Sequence, residues 1–364
     1  MNGWPNVYDG PAVTAGNETN GARQMAHTVG IKEVARQAGV SVGTVSNVIN
    51  RPHMVAEETR LRVQAAISEL GYVRSESARQ LRAGQSRIIA LLVLDMGNPF
   101  FVDVAAGAER VARASQLGVM LCNSAQSASE EADYLSLFAE QRVRGVLVTP
   151  ADMSGRNLSE FRRHGIPFVF VDRVLPSAEG CSVSVDDVLG GTMAVRHLLQ
   201  QGHTSIAYVS GPMSLQQCQD RMEGALAALA EAGLDDTALH HVQAGLLDVP
   251  SGREAGSRLL AMDPRPSAVF CANDLLALGV LQALFAAGVR VPDDMALIGY
   301  DDIEFAAAAA VPLTSVRQPA VRMGRQAAEL LLEETGEGAD RHQHQRIVFE
   351  PELVVRESSR GPRG

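Results

Sequence analysis

The pentapeptide GVSVG at residues 39–43 has the G-x-S-x-G spacing of a serine nucleophile elbow, with Ser41 as the nucleophile. The pairs Asp186-Asp187 and Asp301-Asp302 offer the carboxylates that glycoside hydrolysis uses, and His342 and His344 in RHQHQ are metal-ligand types. Each chemistry demands more than residue type. An elbow needs a strand before its serine, yet Ile31, Val34, Ala35 and Ala38 recur at helical spacing ahead of Gly39. Hydrolytic carboxylates must stand roughly 5–9 Å apart across a bond, which adjacency along the chain does not provide. The two histidines have no third ligand nearby in sequence, so RHQHQ reads as a solvated loop and no metal site is expected. Neither a P-loop nor a G-x-G-x-x-G following a strand occurs. The expectation is a chain that is not an enzyme and takes no cofactor.

The residues around Ser41 favour a turn between two helices. A short helix from Ile31 stops at Gly39, which takes a left-handed cap without a Cβ penalty. Val40 plugs the turn, and Ser41 is a good N-cap for a second helix with Val45, Val48 and Ile49 inward. Pro52 closes that helix, and a third runs roughly from Glu57 to Leu70, with Gly71 at its end. Ala35, Gly39 and Val45 then have helix-turn-helix spacing, whose second helix presents its first residues to base edges in the major groove. Val42, Gly43, Thr44, Ser46 and Asn47 face outward. Asn47 can pair bidentately with adenine, and Thr44 or Ser46 can hold phosphate. Val42 can touch a thymine methyl, and Gly43 permits close approach. Lys32, Ser41 and Asn50 complete the candidate DNA-contacting set. A helical hairpin that binds no DNA stays open as the alternative.

Charge distribution separates this segment from the rest. Residues 28–87 hold nine basic and five acidic groups, a net +4, whereas the whole chain carries −10. A basic head is joined to an acidic body. At 364 residues, two or three domains are expected. Cys122, Cys181, Cys218 and Cys271 form no C-x-x-C pair and read as buried free thiols of a reducing cytoplasm. No apolar run approaches the ~18–20 residues that span a bilayer, so no membrane partner is expected. Residues 1–27 lack signal-peptide order and read as a disordered tail, with Met25 as an alternative start. Residues 74–87 read as a linker with Ala78 and Leu81 on one helical face, too short for a stable helix alone.

Beyond Arg87 the pattern becomes alternating. IIALLVL, VMLCN, GVLVT, FVFVD, SVSVD, SIAYVSG, AVFCAN and ALIGYDD are strand-like, and amphipathic stretches such as LGGTMAVRHLLQQG separate several of them. Near-continuous apolar strands imply parallel sheets covered on both faces. The fold class is α/β: an all-α helix-turn-helix head and a body of two doubly wound lobes, with an eight-fold barrel as the alternative. Polar residues repeatedly follow the apolar runs: Asn98, Asn123, Asp172-Arg173, Asp186, Asn273-Asp274 and Asp301-Asp302. Any one reads more readily as a loop cap, but their recurrence at strand ends points to a ligand cleft.

IKEVARQAGVSVGTVSNVIN, a third helix ending LGY, and ARQLRAG together resemble the lactose/galactose repressor family (LacI/GalR). The similarity continues through NPFF, VFVDR, QGHTSIAYVSG, FCANDLLALG, IGYDD and LTSVRQP, covering about residues 29–357. The resemblance implies a repressor acting as a homodimer or larger assembly on a pseudo-palindromic DNA operator. It implies a hinge at residues 74–87 in which Leu81 wedges into the minor groove and Ala78 packs beside it. Arg74, where the family commonly has Pro, and the acid Glu76 depart from that pattern. The body, residues 88–357, is expected to resemble periplasmic binding proteins, with lobes of about 88–188 plus 318–345 and 189–317 plus 346–357, and a tail at 358–364. Asn98, Phe100, Phe101, Asp172, Arg173, Arg221, Leu247, Asn273, Asp301 and Gln318 are the implied ligand-binding residues. Carboxylates and amides suit a sugar, and the set resembles the ribose-type pockets of this family and of periplasmic binding proteins, while Leu247, where an aromatic often stacks, keeps a nucleoside or another small metabolite open.

Overall fold

The structure, a computed structural model, describes residues 29–73, 86–151, 159, 162–174, 180–336 and 338–360. The hinge residues Ala78 and Leu81, with Arg74, Glu76 and residues 1–28, lie outside this set. The chain divides into a helical unit up to residue 79 and a larger unit from residue 80.

The head comprises α1 (Ile31–Ala38), α2 (Val42–Asn50) and α3 (Glu57–Leu70). Its core is the apolar set that periodicity selects: Val34, Ala35, Ala38, Val45, Val48, Val63 and Ala66 are buried, with Val40 and Ile49 packed against them. Gly39, at φ +65°, closes α1 by donating to the carbonyls of Ala35 and Arg36. The Ser41 hydroxyl accepts from the Thr44 amide at 3.0 Å and starts α2.

The body has two six-stranded sheets and is not a closed barrel. The first contains β1 (Ile88–Val93), β2 (Gly118–Asn123), β3 (Gly145–Val148), β4 (Phe168–Val171), β5 (Cys181–Val185) and β11 (Arg346–Phe349), in the order β11-β5-β4-β3-β1-β2. The second contains β6 (Ile206–Ser210), β7 (Leu239–Gln243), β8 (Ala268–Cys271), β9 (Ala296–Asp301), β10 (Thr314–Arg317) and β12 (Glu352–Val354), in the order β12-β10-β9-β8-β6-β7. All pairings are parallel except that of β12 with β10. The helices are α4 (Pro99–Ala114), α5 (Ala128–Glu140), α6 (Asp187–Gln200), α7 (Gln216–Glu231), α8 (Val249–Leu260), α9 (Asp274–Ala286), α10 (Glu304–Ala308) and α11 (Ala320–Thr335).

Glycines set the helix crossings. A Cβ on Gly107 or Gly324 would strike backbone across the α4–α11 contact, and Gly191 with Gly224, and Gly252 with Gly279, do the same for α6–α7 and α8–α9. Three close helix pairs thus rest on residues without side chains.

Three expected boundaries need correction. Residues 346–349 belong to the first lobe, because β11 pairs in parallel with β5, and only β12 returns to the second. Ser358 and Ser359 are no tail: both are buried, with Ser358 Oγ donating to the Leu297 carbonyl and Ser359 Oγ bonded to His197 and Thr314. Ser86 and Arg87 belong to the body rather than the linker, since the Ser86 amide donates to the Arg142 carbonyl at 3.0 Å and Arg87 accepts from Gly118 at 2.8 Å.

Candidate functional site

On the head, α2 turns its first residues outward. Val42 is 41 % exposed; Gly43, Asn47 and Lys32 are exposed as well, and Thr44 and Ser46 are half-buried. Asn47 has an exposed amide, as base readout requires. Asn50 is exposed too, but its amide donates to the Ser46 carbonyl at 2.7 Å and so ties to its own helix. Ser41 and Thr44 share a 2.9 Å hydroxyl contact at the N-terminus of α2, where two hydroxyls and free backbone amides can meet a phosphate.

In the body, strand order reverses direction of winding between β1 and β3 and between β6 and β8, the crevice position in open parallel sheets. A small polar cavity lies there, between the carboxyl ends of the two sheets, where the two lobes meet. Eight of the ten expected ligand residues line it: Asn98, Phe100, Phe101, Asp172, Arg221, Leu247, Asn273 and Asp301. Arg173 and Gln318 do not. Gln318 stands behind Asp301 and donates to its Oδ1 at 2.8 Å.

Several of the polar strand-end residues cap helices, and Asn98 and Asn273 both cap a helix and line the cavity. Asn98 caps α4, Asp186 caps α6 and Asn273 caps α9, each accepting from a first-turn amide. Asp172 and Asp301 cap nothing, and both sit at positive φ, +60° and +101°. That backbone costs about 1–3 kcal/mol per residue and is held in place by its surroundings. The Asp pairs of the sequence therefore split by role: Asp187 pairs with Arg221, and Asp302 pairs with Arg317 at 2.7 Å.

Arg221 is the buried cation of the site. Its Nε donates to Asp187 at 2.8 Å, its Nη1 donates to the Ala272 carbonyl, and its guanidinium lies 3.6 Å from the Tyr300 ring centroid. Around it are acids that burial pushes up. Asp301 rises to about 6 despite Arg221 and the hydrogen bonds from Asn98 and Gln318 that lower it. Burial, then the charge of Asp187, raises Asp172 well above the usual carboxylate range against the pull of Arg221. The Oδ1 of Asp172 is buried without a hydrogen-bond partner. The lobes touch directly: Asn98 donates to Asp301 at 2.9 Å, and the Leu247 amide donates to Gln126 at 3.4 Å.

Sequence reading did not name Asp95, Gln126 and Gln217, which also line the cavity. Asp95 follows IIALLVL and was open to the strand-end argument; Gln126 in a loop and Gln217 on α7 carry no local signal. RHQHQ is exposed at Arg341, Gln343, His344 and Gln345, as a solvated loop is. His342 departs from that reading: its side chain is only 6 % exposed and meets Cys181 and Glu334. Burial, then contact with Glu334, pushes the Cys181 thiol up to about 12.

A helix-turn-helix head and a two-lobed parallel body with a polar cavity at its switch points define the class of ligand-responsive DNA-binding regulators. Residues 30–75 match the bacterial regulatory proteins of the lacI family, and residues 195–359 match the periplasmic binding protein-like domain. The chain is 38 % identical over 331 residues to the HTH-type transcriptional repressor PurR of Photobacterium profundum, spanning 90 % of this chain and 98 % of that one. The lac repressor dimer bound to operator and the anti-inducer ONPF superposes with a TM-score of 0.79 at 25 % identity, over 91 % of this chain and 99 % of that one. A LacI family regulator from Enterococcus faecium with bound ribose gives 0.68 at 27 % identity, over 76 % and 100 %. The chain belongs to the lacI family of bacterial regulatory proteins and is a DNA-binding transcriptional repressor controlled by a small molecule. No helix among the described residues is long and apolar enough to cross a membrane.

Proposed function

We propose that this repressor acts in the cytoplasm as a homodimer on a pseudo-palindromic operator, without catalytic activity, and that its effector is a sugar of ribose type. Base readout falls to Asn47, with Val42 and Gly43 admitting close approach and Lys32, Ser41, Thr44 and Ser46 holding the backbone. Ala78 and Leu81 serve the minor groove. The observation that carries the effector reading is the partnerless buried Oδ1 of Asp172 in a cavity that also holds Arg221 and Asp301. A buried acceptor without a donor costs about 1–3 kcal/mol, and a ligand hydroxyl removes that cost. Phe100, Phe101 and Leu247 supply an apolar wall for the C–H face of a ring. A ligand that replaces the Asn98–Asp301 contact changes how the lobes meet, and its differential affinity for the two lobe arrangements sets operator affinity.

A thermal-shift screen of the full chain against pentoses, hexoses and nucleosides tests this. Pentoses raise Tm, the rise disappears in Asp172→Ala, and the same compound changes retardation of a pseudo-palindromic DNA. A shift from nucleosides alone, or a pentose shift that survives Asp172→Ala, overturns the reading.

A further inference from the structure

Far from the cavity, four side chains converge at the opposite end of the first sheet. Cys181 is the first residue of β5, Glu334 lies in the last turn of α11, and His342 and His344 lie in the segment leading into β11. The parallel pairing of β11 with β5 brings them together, with the Ser182 amide donating to the Gln345 carbonyl at 2.9 Å. One donor atom from each of the four lies within 4.8 Å of all the others. Cys181 Sγ is 3.1 Å from His342 Nε2 and 3.8 Å from His344 Nδ1. Glu334 Oε1 is 3.6 Å from His342 Nε2 and 3.3 Å from His344 Nδ1. A tetrahedral zinc ion, with Zn–S of about 2.3 Å and Zn–N of about 2.0 Å, holds its donors about 3.3–3.5 Å apart. The four measured separations bracket that edge.

We propose that Cys181, Glu334, His342 and His344 form a four-coordinate structural site for one zinc-class transition-metal ion. The surroundings are those of a metal ligand set. The other ring nitrogen of His342, Nδ1, faces the Glu333 carboxylate at 3.4 Å, the carboxylate–histidine–metal arrangement that fixes ring orientation. The Gln345 amide donates to Cys181 Sγ at 3.3 Å, a contact that favours the thiolate. Thiolate plus two imidazoles selects a borderline ion such as zinc over calcium or magnesium. A protein donor at each corner makes the site structural, with no position kept for substrate. As the metal binds, the Cys181 proton leaves to solvent and the S–metal bond replaces S–H. The ion ties the end of α11 and the 338–345 segment to β5.

Cobalt(II) titration of the untagged, chelator-stripped full chain tests the site. One cobalt binds per chain with tetrahedral ligand-field absorption and a thiolate-to-cobalt charge-transfer band. Cys181→Ser loses that band and His342→Ala weakens binding at least about tenfold. Because those two side chains are buried, His344→Gln, at a side chain 43 % exposed, serves as the variant that keeps the fold, and it also weakens binding. A spectrum without the charge-transfer band in the wild type, or affinity unchanged in His344→Gln, overturns the assignment.

Discussion

Replacing Arg221 by Met removes the cation that pairs with buried Asp187 and whose charge lowers the pKa of buried Asp172 and Asp301. The side chains of Arg221 and Asp187 are 3 % and 7 % exposed, so water cannot take over the work of the lost partner. Breaking a buried ion pair from one side costs about 3–5 kcal/mol, because the remaining charge stays desolvated. The lost contact with the Tyr300 ring adds to this, and Met packing offsets part of it, which leaves about 4 kcal/mol. Against a total stability of about 5–15 kcal/mol that is a large fraction. The pH dependence has a definite sign. Arg221 lowers the pKa of Asp172 and Asp301 in the folded state, so without it both bind protons more tightly when folded. Folded protein then holds more protons than unfolded, and the deficit of the variant grows as pH rises from 5 to 7. Urea midpoints of wild type, Arg221→Met, Asp187→Asn and the double variant give the cycle. The double variant should recover at least about 2 kcal/mol relative to additivity, since neither charge then remains buried alone. A loss below about 1 kcal/mol in Arg221→Met, or strict additivity, refutes the reasoning.

Three further outcomes are expected. Asn47→Ala lowers discrimination between operator and unrelated DNA by about 1–3 kcal/mol, and an unchanged preference in a binding-site selection removes Asn47 from base readout. Ser41→Ala costs the head about 1 kcal/mol and speeds hydrogen exchange at the Thr44 amide, whose acceptor it deletes; equal exchange there contradicts the cap. Asp301 has a folded pKa of about 6 against an ordinary 3.8, so its ionisation destabilises the folded state by about 3 kcal/mol once pH exceeds the folded value. Stability of Asp301→Asn relative to wild type should therefore improve by about that amount between pH 4 and pH 7, and a constant gap would count against the buried acid.

Much of the fold was open to sequence reading because its signals are local. The helix ends at Gly39 and Gly71, the Ser41 cap and the eight apolar strand runs each depend on neighbours a few residues away. Of the strands without a clear apolar run, β7, β10, β11 and β12, three are sheet edges with partly exposed residues: β7, β11 and β12. β10 buries Thr314 and Ser315, whose hydroxyls find partners in Arg356 and Asp274, so its polarity conceals its burial. The cavity residues were legible as a set through strand-end recurrence and family resemblance together. Their separate roles were not, since Asp186, which only caps a helix, Asn98, which both caps and lines the cavity, and Asp172, a cavity acid, look alike in sequence.

GVSVG is legible as a helix-turn-helix corner from its neighbours: hydrogen bonds over three to five residues set the turn and cap, and the core shared with α3 through Val63 and Ala66 holds the two short helices. RHQHQ is the opposite case. His342 meets a cysteine 161 residues earlier only because the chain crosses from β10 back to the first lobe at α11, after which β11 pairs with β5. Asn98 likewise reaches Asp301 across 203 residues, through the closing of one lobe on the other. Contacts of that kind form when buried surfaces and strand pairing choose which distant segments share an edge, and no local pattern encodes the choice.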